Sequence, residues 1–257
     1  MIGSTNSIWK VNGKYEQIVN YTMLYDYGDE CADITGGWDN TYTDGGGTFT
    51  KNTDNMYLYV KGTNYKKCAS TLKPINITDY DSFFVNYKAS RTSTAYCFAI
   101  AGFVYSNSDT IENLGYSNNV SDSLKLTPSG TSCEGILSLD ISSYSEICYP
   151  MIKAQTNNSS YSTSVYIYNC FLIKADDWQT LANIAGITAT TIDDILTNST
   201  TLLSNKEAVR FMIYQCTGDF MASAIQSSTF LTALNNSQYK TIIMANEHWA
   251  KFLSMVA

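Results

Sequence analysis

Histidine is almost missing from this 257-residue chain, with His248 as its single instance. One imidazole leaves no material for a histidine-rich metal centre. A Ser-His-Asp arrangement would need a GxSxG elbow, and none is present. HExxH, P-loop and dinucleotide fingerprints are absent as well. His248, beside an apolar helical stripe, reads as structural. Charge is also scarce, at 15% Asp, Glu, Lys and Arg, against roughly 25% in an average globular chain. The net charge is −7, and Lys66-Lys67 is the only adjacent basic pair. A nucleic-acid backbone demands a basic stripe, so nucleic acid is excluded as a partner. No run approaches the roughly 20 apolar residues of a membrane-spanning helix, so no membrane insertion is expected. MIGSTNSIWK lacks a basic region followed by an apolar core, and no secretory signal is expected from it. The seven cysteines, Cys31, Cys68, Cys97, Cys133, Cys148, Cys170 and Cys216, form an odd set without a CxxC. They read as free thiols acting as small core hydrophobes.

In place of charge the chain carries Asn, Ser, Thr and 20 tyrosines. Tyr and Thr suit a pleated, half-buried surface. Residues 1–20 read as an extended arm with a tight turn at Asn12-Gly13. Such an arm pairs either with a neighbour's sheet edge or as a first strand of its own domain. From 21 to 175 the pattern is strand after strand. MYLYV puts Met56, Leu58 and Val60 on one face and Tyr57 and Tyr59 on the other. FFVNYK sets Phe83, Val85 and Tyr87 on one face, and GILSLDI turns Leu137, Leu139 and Ile141 inward. TAYCFAIAGFVY and SVYIYNCFLIK are apolar on both faces, as central strands are. Eight to ten strands of this kind, with Pro74, Pro128 and Pro150 at strand ends or edges, predict an antiparallel β-sandwich of jelly-roll type.

At Ala175 the period lengthens. Residues 176–257 predict about five short helices forming a small bundle. Gly186 should end the first helix. Thr191 to Asp194 and Ser204 to Glu207 each fit a capping box. Gly218, Ser228 and Ser237 punctuate further helices. A final helix from Tyr239 to Val256 carries a stripe of Ile242, Ile243, Trp249, Phe252, Leu253 and Val256, interrupted by Asn246.

Exposed aromatic rings are the remaining functional candidates: Trp38, Tyr42 and Tyr116 in loop sequence, and Tyr57 and Tyr59 on the outward face of their strand. Such rings stack on sugar C–H faces and also anchor protein interfaces. The acidic cluster Asp26, Asp29, Glu30 and Asp33 offers oxygen ligands for a calcium ion, or is a solvated turn. No other cofactor is expected. Paired carboxylates leave glycoside hydrolysis open by count alone, but the small scaffold favours a non-enzyme.

The segments LYDYGDECADITGGW (24–38) and GGGTFTKNTDNMYLYV (45–60) resemble a module in tail and appendage proteins of phages and prophages of gut Firmicutes. There a similar motif opens a β-sandwich like those of carbohydrate-binding modules. Residues 208–256 resemble a helical segment of the same proteins. The resemblance implies a virion component, in the tail, baseplate or head, assembled in the host bacterial cytoplasm. It implies other virion proteins as partners and a homo-oligomer, such as a trimer. The function expected is presentation of a sandwich to host-surface glycan. A purely structural capsid-decoration or tail-scaffold role is the alternative, and a glycan depolymerase the third reading.

Overall fold

The computed structural model describes residues 10–11, 14–28, 38, 40–43, 46–62, 66–71, 73–104, 125–126, 130–144 and 147–256. The chain divides into two compact units. One is Thr22–Leu172. The other joins Met1–Tyr21 to Ile173–Ala257.

The first unit is a β-sandwich. One sheet runs β11 (Lys125–Leu126), β10 (Cys97–Val104), β13 (Ile147–Thr156), β7 (Lys66–Thr71) and β4 (Asn40–Thr43), with β8 (Ile75–Asn76) also on β13. The other runs β12 (Ser132–Asp140), β9 (Ser82–Arg91), β14 (Ser162–Ile173), β6 (Met56–Lys61) and β5 (Gly47–Lys51), with β3 (Tyr21–Asp26) also on β14. The registered pairs are antiparallel. The sequence thus underestimates the strand number, because β8 and β11 are two-residue pieces too short to show a period.

Alternation fixes the core. Met56, Leu58 and Val60 meet Phe83, Val85, Val165 and Ile167 on one side, and Cys68, Ala99, Ala101, Phe103, Ile152 and Ala154 on the other. Each large apolar side chain so buried contributes roughly 1.5–3 kcal/mol. Phe83 meets Phe103 edge-on, with centroids 4.8 Å apart. Leu137 and Leu139 pack partly buried on this core, and Ile141 is fully inside. The doubly apolar β14 is central in its sheet, as expected. Pro150 lies inside the central strand β13 instead of at an edge. Its neighbours explain the tolerance. One side of β13 pairs with β8 through Cys148 and with β7 from Met151 onward, so Pro150 falls at the seam where partners change. Cys68, Cys97, Cys148, Cys170 and Cys216 are buried free thiols and Cys133 is half-buried, while Cys31 lies outside the described residues.

The second unit holds eight helices among the described residues: α1 (Trp178–Ala185), α2 (Ile192–Thr197), α3 (Ser199–Ser204), α4 (Lys206–Gln215), α5 (Asp219–Ala224), α6 (Ser228–Asn236), α7 (Lys240–Met244) and α8 (Glu247–Ser254). Gly186 closes α1 at φ 71°, and Thr191 with Asp194 forms the capping box of α2. The second expected box shifts by one residue. Asn205, not Ser204, caps α4 by accepting from the amides of Glu207 and Ala208. The long final helix is in fact two. Asn246 breaks it by capping α8 through the Trp249 amide, while its side-chain amide donates to Gln17. Of the expected stripe, Ile243, Trp249, Phe252 and Leu253 are buried, but Ile242 is 57% exposed and Val256 37% exposed.

Among the described residues the arm enters neither sheet of the sandwich. Strands β1 (Lys10–Val11) and β2 (Lys14–Tyr15) pair with each other. Beyond them the chain supplies donors to the carbonyls that the end of α4 leaves without helical partners. The Ile18 amide donates to the Tyr214 carbonyl at 2.8 Å, and the Gln17 side chain to that of Ile213 at 3.3 Å. The arm is therefore part of the helical unit.

Gly218 sits at the junction of arm, β14 exit and α5. A Cβ there would lie 2.2 Å from the Lys174 carbonyl oxygen and 2.8 Å from the Asn20 Cβ. Backbone cannot yield as a flexible side chain does. Gly218→Ala should therefore lower the stability of the helical unit by about 1–3 kcal/mol, measurable as a lower denaturation midpoint with an unchanged slope.

Candidate functional site

The outward face of the β12–β9–β14–β6–β5 sheet carries a row of tyrosines. Because β6 alternates, Tyr57 and Tyr59 both face outward, half-buried, with rings 6.4 Å apart and 16° from parallel. The register places Tyr166 of β14 directly opposite Tyr57, and their centroids are 4.6 Å apart. Tyr168 follows two residues along. Beyond it the alternation of β14 slips. Val165 and Ile167 point into the core, and so do Cys170 and Leu172. That one-residue change of phase is the signature of a β-bulge. It turns Tyr168 and Asn169 to the same outer face.

Asn169 is fully buried and locks the bulge. It donates to Asp26 at 2.7 Å and accepts from Asn86 at 3.3 Å. Next to it Tyr27 takes a left-handed φ of 42°, uncommon for a bulky side chain. The Tyr27 amide donates to the Tyr168 carbonyl at 2.8 Å, and the two rings lie 6.4 Å apart. Gly28 follows at φ 94°, where a Cβ would fall 2.1 Å from the Thr53 carbonyl oxygen, so only glycine passes beneath the β5–β6 turn.

Polar groups border the row. Lys88 of β9 pairs with Glu134 of β12 at 2.9 Å across directly opposed positions, both side chains substantially exposed. Glu134 holds the Lys88 ammonium above its ordinary value through that hydrogen bond. Burial raises the Tyr57 phenol, and neighbouring Tyr166 and Tyr59 add to the effect. Burial also raises Tyr168, with Lys88 opposing. Tyr27 is raised by burial and by Asp26, with the hydrogen bond to Asn86 opposing. The hydroxyls of Tyr57, Tyr168 and Tyr27 are therefore neutral at physiological pH and serve as both donors and acceptors. From Tyr59, opposite Ser164, to Tyr168 the row spans four residue-to-residue steps of strand, or roughly 13 Å at the usual rise. It is a long, shallow aromatic strip with amide and charged groups at its side.

The other candidates separate from it. Trp38 is fully buried and donates its indole N–H to the Leu24 carbonyl at 3.1 Å, so it braces the core and is not a surface ring. Tyr42 is half-buried on β4, in the opposite sheet, instead of a loop. Tyr116 lies outside the described residues, as do Asp29, Glu30 and Asp33. Asp26 accepts from Asn169. Among the described residues no group of three or more His, Cys, Asp or Glu side chains is placed to hold a metal. His248 accepts from or donates to the Tyr21 hydroxyl at 2.8 Å, and burial lowers its basicity.

Three members of the row were not singled out from sequence. Tyr166 and Tyr168 show the same alternation in YIYN that betrays Tyr57 and Tyr59 in MYLYV. Tyr27 gives no such signal, since its place depends on a left-handed turn.

The chain matches no protein-family model and no curated protein. Solved structures similar to it include the family 11 carbohydrate-binding module from Clostridium thermocellum in complex with a β-1,3-1,4-mixed-linked tetrasaccharide. That match has 16% identity and a TM-score of 0.35, over 62% of this chain and 98% of that one. A family 29 carbohydrate-binding module matches at 14% identity and a TM-score of 0.33, over 59% of this chain and 86% of that one. Likenesses this distant say nothing about ligand.

Proposed function

We propose that the tyrosine row of the β12–β9–β14–β6–β5 sheet binds a bacterial surface glycan, and that the protein is a phage virion appendage presenting that face. The observation that carries the reading is the row itself: Tyr57, Tyr59, Tyr166, Tyr168 and Tyr27 side by side on one sheet face, flanked by Asn86, Lys88 and Glu134. Half-exposed rings supply apolar faces for sugar C–H groups. The adjoining amides, hydroxyls and ion pair supply the hydrogen bonds that a sugar's hydroxyls require. The virion part rests on the resemblance of segments 24–38 and 45–60 to phage appendage modules. In that setting the chain acts as one of several copies held by other virion proteins, after assembly in the host cytoplasm. Recognition needs no chemical step, so the role is non-enzymatic.

The test uses the full chain on an array of bacterial surface polysaccharides. Tyr57→Ala and Tyr166→Ala should each weaken binding by about tenfold or more, as loss of a central aromatic anchor does. Tyr42→Ala, on the other sheet, should leave it unchanged. Absence of binding to every polysaccharide would sink the glycan reading in favour of a scaffold role, and equal loss on Tyr42→Ala would move the site elsewhere.

A further inference from the structure

The helical unit holds a cavity of its own. It has a volume of about 460 Å³ and opens between the arm, α4 and α7, within the usual range for ligand sites. Its walls are ring faces and aliphatic side chains. Tyr15 and Tyr214 stand 6.5 Å apart and 21° from parallel, and Tyr239 faces the same space with Val209 and Ile213. At the mouth Ile242 is 57% exposed, second only to Ile147 among the exposed large apolar side chains of the described residues, and Tyr214 is 37% exposed. Tyr15 is fixed from behind, its ring edge-on to Phe211 at 5.8 Å. The arm bearing it is bonded to the α4 carbonyls described above.

Two cations complete the lining. Lys206 and Arg210 lie one helical turn apart on α4 and so share a face. The Arg210 guanidinium sits 5.9 Å from the Tyr15 ring centroid and 3.4 Å from Glu207, in an exposed pair that contributes little and exchanges readily. In a chain of net charge −7 this is a local reversal of sign beside an apolar hole.

We propose that this cavity docks an acidic segment of a partner protein, one aromatic side chain entering between Tyr15, Tyr214 and Ile242 while flanking carboxylates meet Lys206 and Arg210. The apolar lining supplies the anchor pocket, and the paired cations set charge and register. The inference does not depend on glycan binding.

The probe is a fluorescent, end-blocked Glu-Phe-Glu peptide titrated against the full chain, followed by anisotropy. Binding is expected to weaken with added salt, and by about tenfold when Gln replaces Glu or Ala replaces Phe in the peptide. Arg210→Glu combined with Lys206→Glu, and separately Ile242→Asp, should abolish it without altering the melting temperature, since all three side chains are at the surface. Arg210→Lys should retain much of it. Equal binding of the Gln-Phe-Gln peptide, or no binding at millimolar Glu-Phe-Glu, overturns the proposal. Self-association of the chain that Ile242→Asp abolishes would overturn it too, by assigning the cavity to a second copy.

Discussion

Trp249→Ala is expected to cost the helical unit about 3–5 kcal/mol, the range for truncating a large buried aromatic. Trp249 is fully buried on α8. Its ring lies 5.8 Å from Phe230 of α6 and 6.4 Å from Phe220 of α5, so one side chain ties three short helices. Its indole N–H also donates to the Met212 carbonyl of α4 at 3.3 Å. None of these helices exceeds ten residues, and pieces of that length do not hold alone in water. Removing their shared contact should therefore unravel the unit cooperatively. The measurement is hydrogen exchange of α5, α6 and α8 amides, which should lose protection together while β9 and β14 keep theirs. Protection lost only in α8 would contradict it.

Asp176→Ala should cost about 3 kcal/mol or more, because three buried donors lose their acceptor at roughly 1–3 kcal/mol each. The Asp176 carboxylate accepts from the Asn20 side chain at 2.7 Å, from the Gly218 amide at 2.8 and 2.9 Å, and from the Phe220 amide at 3.0 Å. Arm, junction and α5 thus converge on one side chain. Burial pushes its carboxyl up to about 7, with Asp219 adding and the hydrogen bonds opposing. The folded value lies above the roughly 3.9 of a free carboxyl. Between those values the folded state keeps a proton that the unfolded chain has released. Its contribution is therefore fully present below about pH 4 and declines as pH rises toward about 7. Chemical denaturation of wild type and variant across that window should show the stability gap narrowing with pH. A gap that widens would mean that the hydrogen bonds outweigh burial.

Legibility in the sequence followed periodicity. MYLYV, FFVNYK and GILSLDI showed their inward and outward faces because a strand facing a core on one side must alternate, and the sandwich class followed from their number. Features that depend on a register or a local backbone state were not legible. The Lys88–Glu134 pair joins strands with 45 residues of chain between the partners' numbers 88 and 134, and no local signal marks such a pairing. Tyr27 enters the site only because its φ is left-handed. Trp38 misled for the reverse reason: Gly and Asp around it look like loop, yet a loop ring can turn inward and find a carbonyl. Asn246 was visible as a break in a stripe. Its capping role was obscured because the apolar period resumes in phase after it.

The hydrogen bond from the Lys174 amide to the Asn20 carbonyl, at 2.8 Å, closes the strand pair formed where β3 begins and β14 ends. Everything between these points is the sandwich, so the helical unit is one body written in two pieces with another domain inserted in its text. This sets an order of events during synthesis. The arm leaves the ribosome first, but its acceptors at Ile213 and Tyr214 and the Thr217 hydroxyl are among the later residues made. Closing so long a loop is entropically unfavourable for a free chain, whereas a folded sandwich already holds its two ends together. The insertion in this way shortens the loop that the two pieces of the helical unit must close.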